Sequence, residues 1–182
     1  MHRREVRLYN LIFPLWLIVW VPGWWWLLII PANFLVDYMV LQGCFKKRGV
    51  QNDKEILKKN AWKSWLLGFA ADFIGTILLI VIYAFAAFFG DWLWHNTSGL
   101  LSDLGKVLAL WSGSSMLSCW NNPLAFQVNC YAVALAGFLV YLFNYRVLRK
   151  KEGIGEEDAK YTAKWMAILT APYLMLLPFY IY

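Results

Sequence analysis

Asp37 and Asp72 are the only acidic residues inside the apolar runs of this 182-residue chain, so they are the first candidates for chemistry. Asp37 lies nine residues before Lys46, and Asp72 lies nine residues after Lys63. At about 1.5 Å per helical residue, each carboxyl lies about 13 Å from its basic neighbour, which places both at matching depth. Because ionisable groups at membrane depth usually face a bundle interior or a cavity, this spacing predicts one shared polar site.

Two polar side chains extend the predicted site along the same helix faces. Asn33 precedes Asp37 by four residues, and Thr76 follows Asp72 by four. Small residues flank Asp72 and would allow another helix to approach closely: Gly68, Ala71 and Gly75. Three interpretations stay open: carboxyls that only hold neighbouring helices together, a site that stores a proton or binds a small cation, and a site for another small ligand. The packing interpretation is the simplest.

The composition is that of an integral membrane protein. Hydrophobic residues make up 61% of the chain and charged residues 15%, whereas soluble domains average roughly 45–50% and about 25%. Several apolar runs approach or exceed about 18 residues, the length that indicates a transmembrane helix. A soluble fold could not bury that much apolar surface, so the lipid bilayer is the first expected partner.

The positive charges are segregated along the chain. Sixteen of the seventeen Lys and Arg residues lie before residue 8, in 46–63 or in 146–164, and only Lys106 lies elsewhere. Cationic loops stay cytoplasmic during insertion, so this pattern predicts a cytoplasmic N-terminus and, after five crossings, an external C-terminus. The pattern also explains the net charge of +6 without nucleic acid as a partner. We expect the plasma membrane of a bacterium as the location.

The sequence predicts an all-α bundle of about five transmembrane helices in one polytopic domain. The apolar run over 8–45 is too long for one crossing, and Pro22 and Gly23 are predicted to turn it into a tight hairpin. A re-entrant first limb is the alternative. The predicted order is a hairpin over 4–45, a cytoplasmic basic segment over 46–64, a span over 65–89, an external segment over 90–123, a span over 124–145, a cytoplasmic loop over 146–160 and a span over 161–182.

The external segment is predicted to contain an amphipathic helix. From Leu100 to Trp111, apolar residues recur at helical spacing while the polar residues take the opposite face. Such a helix lies on the outer membrane surface or caps the bundle. The stretch over 112–123 is rich in turn-forming residues and is predicted to be a loop. Whether Cys119 and Cys130 form a disulfide is left open.

The last predicted span carries small residues at steps of four: Ala159, Ala163, Ala167 and Ala171. Such a stripe is typical of a helix–helix contact face. Its partner helix could belong to the same chain, to a second copy in a homo-oligomer or to another membrane subunit. Pro172 and Pro178 predict that the outer half of this span is bent or irregular.

Residues for enzyme catalysis are few. His95 follows Asp91 by four residues, so the two could pair on a helix, but no nucleophile is positioned beside them. The cysteines and histidines lack metal-binding spacing, and no hydrolase motif or phosphate-cradling loop is found. The sequence therefore assigns no catalytic residue, no metal site and no cofactor.

These observations favour a small transport-associated or solute-binding membrane subunit that is not an enzyme. Its intramembrane carboxylate site would take a small solute or a cation. A non-catalytic scaffold within a larger membrane complex is the alternative. The third interpretation is a membrane enzyme acting on lipid, with Asp91 and His95 as its acid–base pair.

Overall fold

The structure is a computed structural model that describes residues 23–24, 26–50, 53–117, 119–151 and 153–177. Within these ranges 88% of the residues are helical and no strand is present, which confirms the predicted all-α fold. The helices are α1 (Trp26–Arg48), α2 (Asp53–Asn96), α3 (Leu100–Leu117), α4 (Pro123–Leu148) and α5 (Glu156–Leu169), with short 3₁₀ helices at Cys119–Asn121 and Tyr173–Leu176. The first limb of the predicted hairpin, over 4–21, lies outside the described residues.

Three of the described helices are long and apolar enough to cross a membrane: α1, α2 and α4. Their 23, 44 and 26 residues correspond to lengths of about 35, 66 and 39 Å, against a hydrocarbon core of about 30 Å. α2 is this long because most of the predicted basic segment and the predicted span over 65–89 form one uninterrupted helix. It also continues for seven residues beyond the predicted end of that span.

α2 ends in a glycine turn that reverses the chain. The side chains of Asn96 and Thr97 donate hydrogen bonds to the carbonyls of Trp92 and Leu93, at 2.9 and 2.6 Å. Gly99 has a φ of 65°, a left-handed conformation that glycine adopts without steric cost. α3 begins at the next residue and runs back along α2.

α3 packs on α2 through glycines. A Cβ atom built on Gly90 would lie 2.7 Å from the Ala109 nitrogen, and one built on Gly105 would lie 2.5 Å from the Trp94 nitrogen. The two backbones are therefore in direct contact, as happens where glycines let helices approach closely. The result is an antiparallel helical hairpin at this end of the molecule.

The leucine face of α3 points away from the protein. Leu100 and Val107 are 77% and 62% exposed, while Trp111 packs on Tyr83 with ring centroids 5.5 Å apart. The predicted amphipathic helix is present, but it lies along the end of α2 rather than over the bundle as a cap. Glycine contacts position it there because they permit a shorter helix–helix distance than leucine contacts would.

The predicted loop over 112–123 is wrong for most of its length. α3 continues to Leu117, and a 3₁₀ helix follows at Cys119–Asn121. Asn122 then caps α4, because its side chain accepts a hydrogen bond from the Leu124 N–H at 2.8 Å. The turn-forming residues here mark a boundary between two helices.

α5 is shorter than the predicted last span. It begins at Glu156, inside the predicted cytoplasmic loop, and ends at Leu169 after 14 residues. Thr170 closes the helix, since its N–H and its hydroxyl both donate to the carbonyl one turn earlier. Pro172 cannot extend the helix. The span predicted over 161–182 is therefore not one continuous helix.

The core consists of two apolar clusters at different levels of the bundle. The first lies toward the basic ends of the helices and includes Leu41, Phe45, Leu57, Val140, Leu148 and Met166. The second lies on the other side and includes Leu79, Tyr83, Ala132, Val133 and Met175. Along α2, Asp72 and Thr76 fall between the two clusters.

Candidate functional site

Asp37 and Asp72 lie beside each other where α1 crosses α2. Asp37 is 2% exposed, and a Cβ atom built on Gly68 would lie 3.5 Å from Asp37 Oδ2. Gly68 precedes Asp72 by one helical turn, so its missing side chain leaves room for the Asp37 carboxylate against α2. The two carboxylates are close enough to repel each other electrostatically. The structure thus brings together the two groups whose matching depth the spacing predicts.

The two carboxylates keep unused hydrogen-bonding capacity. The Oδ1 atoms of Asp37 and Asp72 are buried and have no hydrogen-bond partner in the part of the chain that the structure describes. Thr170 lies close to Asp37, but its hydroxyl lies 2.8 Å from the Met166 carbonyl oxygen. Because the hydroxyl carries one proton, it can serve only one of these acceptors. Buried polar atoms are nearly always paired in proteins, so these two oxygens are exceptions of the kind found at catalytic groups or beside bound water.

A cavity of about 470 Å³ opens beside the carboxylates. α1, α2 and the segment after α5 form its walls, with Asn33, Asp72, Thr76 and Thr170 as polar members; Asp37 lies behind this wall. Most other lining side chains are large and apolar, among them Ile29, Val36, Phe69, Phe73, Leu174 and Met175. A mainly apolar cavity with a few convergent polar groups is typical of a ligand or substrate site.

A hydrogen-bond network holds the cavity wall that follows α5. Tyr83 donates its hydroxyl proton to Asn129 Oδ1, and Asn129 Nδ2 donates to the Met175 carbonyl, both at 2.8 Å. Trp120 Nε1 donates to the Leu176 carbonyl at 2.6 Å. Asn129 thereby joins α2, α4 and the 3₁₀ helix at Tyr173–Leu176. Sequence reasoning missed Asn129, because it stands alone in an apolar run and each partner is 46 residues away.

A row of polar and small residues runs along α2 toward the carboxylates, at steps of four: Asn60, Ser64, Gly68, Asp72 and Thr76. Asn60 and Ser64 are 1% and 0% exposed, and Asn60 Oδ1 and Ser64 Oγ have no partner among the described residues. The regular spacing was visible in the sequence. It was missed because these two residues were assigned to a cytoplasmic segment and not to the same helix as Asp72.

Comparison with known proteins identifies the family of the chain. No protein-family model and no solved structure matches the chain. The leader peptidase HopD of Escherichia coli is 35% identical over 111 residues, which cover 57% of this chain and 67% of that protein. The chain belongs to the same family as this leader peptidase. The comparison gives no support to the transport interpretation.

The acid–base pair proposed from the sequence for a lipid-acting enzyme lies away from this cavity. His95 Nδ1 is 3.3 Å from Asp91 Oδ1, and the two side chains are 61% and 66% exposed. His95 Nδ1 also lies 3.0 Å from the Asp91 carbonyl oxygen. This geometry is that of a solvated contact between neighbouring turns of α2.

The cysteines are unpaired. Cys44, Cys119 and Cys130 all have free thiols, so Cys119 and Cys130 form no disulfide in this structure. Burial raises the pKa of the Cys119 thiol, which makes this group less reactive than an exposed cysteine. Within the described ranges, no three His, Cys, Asp or Glu side chains are grouped so that they could hold a metal ion.

The alanine stripe packs inside the chain. Ala159 and Ala163 are both fully buried, and a Cβ atom built on Gly137 would lie 3.5 Å from the Ala167 carbonyl oxygen and 3.6 Å from Ala171 Cβ. α5 and the residues after it therefore contact α4 through this face. A scaffold function would need another surface for its partner.

Proposed function

We propose that the chain is a membrane-embedded peptidase that cleaves leader peptides, with Asp37 and Asp72 as its acid–base pair. The observation that carries the proposal is the juxtaposition of the two carboxylates beside an apolar cavity. Membership in the family of a leader peptidase supports peptide hydrolysis as the chemistry. Paired carboxyls that share one proton can hydrolyse a peptide bond without a covalent intermediate.

The pair would act as base first and acid later. The ionised carboxylate of the pair takes a proton from a water molecule in the cavity, whose oxygen attacks the peptide carbonyl carbon. The proton already shared by the pair goes to the carbonyl oxygen and gives a neutral gem-diol. The carbon–nitrogen bond then breaks while the pair protonates the amine nitrogen and recovers one proton from the gem-diol hydroxyl. Atoms and charge balance, and the pair ends in its starting state.

The cavity would bind the apolar part of the substrate. Phe69, Phe73 and Leu174 offer side chains against which an extended apolar peptide can pack. Asn33 and Thr76 lie on the same wall as Asp72, and their polar groups can bind the peptide backbone on either side of the reacting bond.

The length and composition of three helices support a membrane location. α1, α2 and α4 would cross the bilayer, and the basic residues at the ends of α1 and α4 would face the cytoplasm of a bacterium at its plasma membrane. Asp37 and Asp72 would then lie about 13 Å from the lysines that mark this side. A leader segment that is itself apolar would reach the pair from within the bilayer.

The test is cleavage by the purified full chain in detergent micelles. A panel of precursor proteins with apolar leader peptides is offered, and mass spectrometry locates new termini. We expect Asp72→Asn and Asp37→Asn to reduce cleavage by at least about 100-fold, since general acid–base groups contribute about 10²–10⁴-fold. Asp91→Asn is the matched control, because it removes an exposed carboxyl from the same helix and should leave the rate unchanged. Full cleavage by Asp72→Asn would refute the proposal.

Solute or cation binding is a second candidate, which the polar cavity wall favours. Asn33, Asp72 and Thr76 offer side-chain oxygens to one cavity. In proteoliposomes, a solute carrier would show uptake that depends on Asp72 and would cleave no precursor. A lipid-acting enzyme would release fatty acid or headgroup from the vesicle lipids, which thin-layer chromatography detects.

A further inference from the structure

A second concave surface lies at the basic end of the bundle, away from the carboxylate pair. It has a volume of about 430 Å³ and is formed by the C-terminal end of α1, the C-terminal part of α4 and the first turns of α5. Its lining is rich in hydrogen-bond donors and positive charge: Arg48, Tyr141, Lys160, Tyr161 and Lys164, with Glu157 as its acidic member. Lys47 and Arg48 stand 5.9 and 5.4 Å from the centre of the Tyr161 ring.

The three carboxylates at this surface, Glu156, Glu157 and Asp158, are in ion pairs with Lys160 and Arg48. Lys160 Nζ lies 3.0 Å from Glu156 and 3.3 Å from Glu157, and hydrogen bonds to these carboxylates raise the pKa of Lys160, which keeps it charged. Asp158 accepts a hydrogen bond from Arg48 Nε. Among the described residues, Arg48 uses only its Nε–H group in this way, so its two terminal nitrogens remain available to an anion.

Lys164 and Lys47 add two positive charges to these ion pairs, in which two basic residues face three carboxylates. The Lys164 side chain is exposed at the surface, and within the described ranges it forms no ion pair. Lys47 stands over the Tyr161 ring and likewise forms no ion pair within the part of the chain that the structure describes. The surface therefore has cationic groups left over, and the tyrosine hydroxyls of Tyr141 and Tyr161 add uncharged donors beside them.

An exposed apolar surface begins one turn deeper on both helices. Phe138 lies three residues before Tyr141 on α4 and is 57% exposed, and Ile168 lies four residues after Lys164 on α5 and is 43% exposed. The basic surface thus continues directly into side chains that would contact lipid. A ligand with a negative head and an apolar tail can satisfy both parts, whereas a free phosphate ion can use only the first.

We propose that this surface, lined by Arg48, Tyr141, Tyr161 and Lys164, binds the phosphate headgroup of an anionic phospholipid on the cytoplasmic side. Guanidinium and ammonium groups would hold the phosphate, and the acyl chains would lie along Phe138 and Ile168. The proposal uses the membrane orientation given above but needs no peptidase activity, so it should also hold for the Asp72→Asn variant.

The experiment measures lipid retained by the purified full chain in native mass spectrometry. Phosphatidylglycerol and phosphatidylcholine with identical acyl chains are added in separate titrations, and inorganic phosphate is added to a third sample that holds phosphatidylglycerol. We expect one tightly retained phosphatidylglycerol, weaker phosphatidylcholine, and little displacement by inorganic phosphate. Lys164→Gln should weaken phosphatidylglycerol binding about fivefold, because one basic residue contributes about 1 kcal/mol at an anionic membrane surface.

Lys58→Gln is the matched control, since Lys58 is an exposed lysine of the basic segment on α2 and not part of this surface. It should retain phosphatidylglycerol like the wild type, as should Asp72→Asn. An equal loss in Lys58→Gln, or equal binding of the two lipids, would overturn the proposal. Displacement by stoichiometric inorganic phosphate would overturn the lipid as ligand. If the lipid binds as expected while no precursor is cleaved, only the peptidase proposal fails.

Discussion

At the scale of single residues, the carboxylate pair works against stability. Asp37 is almost completely buried and Asp72 is close enough to repel it, and each has an oxygen without a partner in the described part of the chain. A chain selected only for packing would carry an amide or an apolar residue at one of these positions. Such local conflicts are expected at functional sites, where stability is given up for chemistry.

This conflict predicts that Asp37→Asn stabilises the protein while it removes activity. A buried carboxylate pair must either hold a proton or keep two repelling charges, and both cost stability. The amide removes this cost and still offers a donor to Asp72, so we expect the free energy of unfolding to rise by about 1–3 kcal/mol. Thermal unfolding in one detergent, followed by circular dichroism, measures the change. Asp91→Asn should leave the melting temperature unchanged. A lower melting temperature for Asp37→Asn would show that the carboxylate serves packing, the simplest interpretation of the sequence.

At the scale of helices, the sequence predicted which helices are present better than where they lie and end. The amphipathic helix from Leu100 is present, and its leucines are exposed as a lipid-facing helix requires. Its position could not be predicted, because it depends on Gly90 meeting Gly105, and an isolated glycine in an apolar run gives no signal of its partner. α5 ends early for a similar reason, since Thr170 and Pro172 stop the helix while the apolar pattern continues.

The glycine contact predicts a large difference between two substitutions in α3. Gly105→Ala places a methyl group within 2.5–2.7 Å of the neighbouring helix, so we expect the free energy of unfolding to fall by about 1–3 kcal/mol or more. Gly113→Ala is the matched control, because nothing lies within 4 Å of its added carbon. It should raise stability by up to about 1 kcal/mol through helix propensity. Equal melting temperatures for the two variants would contradict the close contact of α2 and α3.

In the candidate site, residue spacing predicted the depth of the two aspartates but not the side chains that hold the cavity wall. Equal distances from Lys46 and Lys63 were enough to place Asp37 and Asp72 at one depth, because helical rise converts residue number into length. The structure places them side by side, while their role stays a prediction. Asn129 could not be found this way, since its hydrogen bonds join three segments that are distant in sequence.

At the scale of the whole molecule, the helix directions collect the basic residues at one end of the bundle. α1 ends with three basic residues, α2 starts among lysines, and α4 ends next to Arg149 and Lys150. The turn between α2 and α3 lies at the opposite ends of these helices and carries no lysine or arginine over 90–105. We expect a bundle with this asymmetry to insert with its basic ends toward the cytoplasm. The carboxylate pair would then lie nearer that side, and the proposed lipid-binding surface would lie directly at it.

This arrangement predicts opposite accessibility for two single cysteines. In a background with Cys44, Cys119 and Cys130 replaced by alanine, Ser98→Cys should react with a membrane-impermeant maleimide added to intact bacterial cells. Lys150→Cys should react only after the cells are permeabilised, because the basic end of α4 faces the cytoplasm. Both positions are exposed in the structure, so neither result can be attributed to burial in the protein. Labelling of Lys150→Cys alone in intact cells would reverse the orientation, and equal labelling of both would contradict a membrane between them.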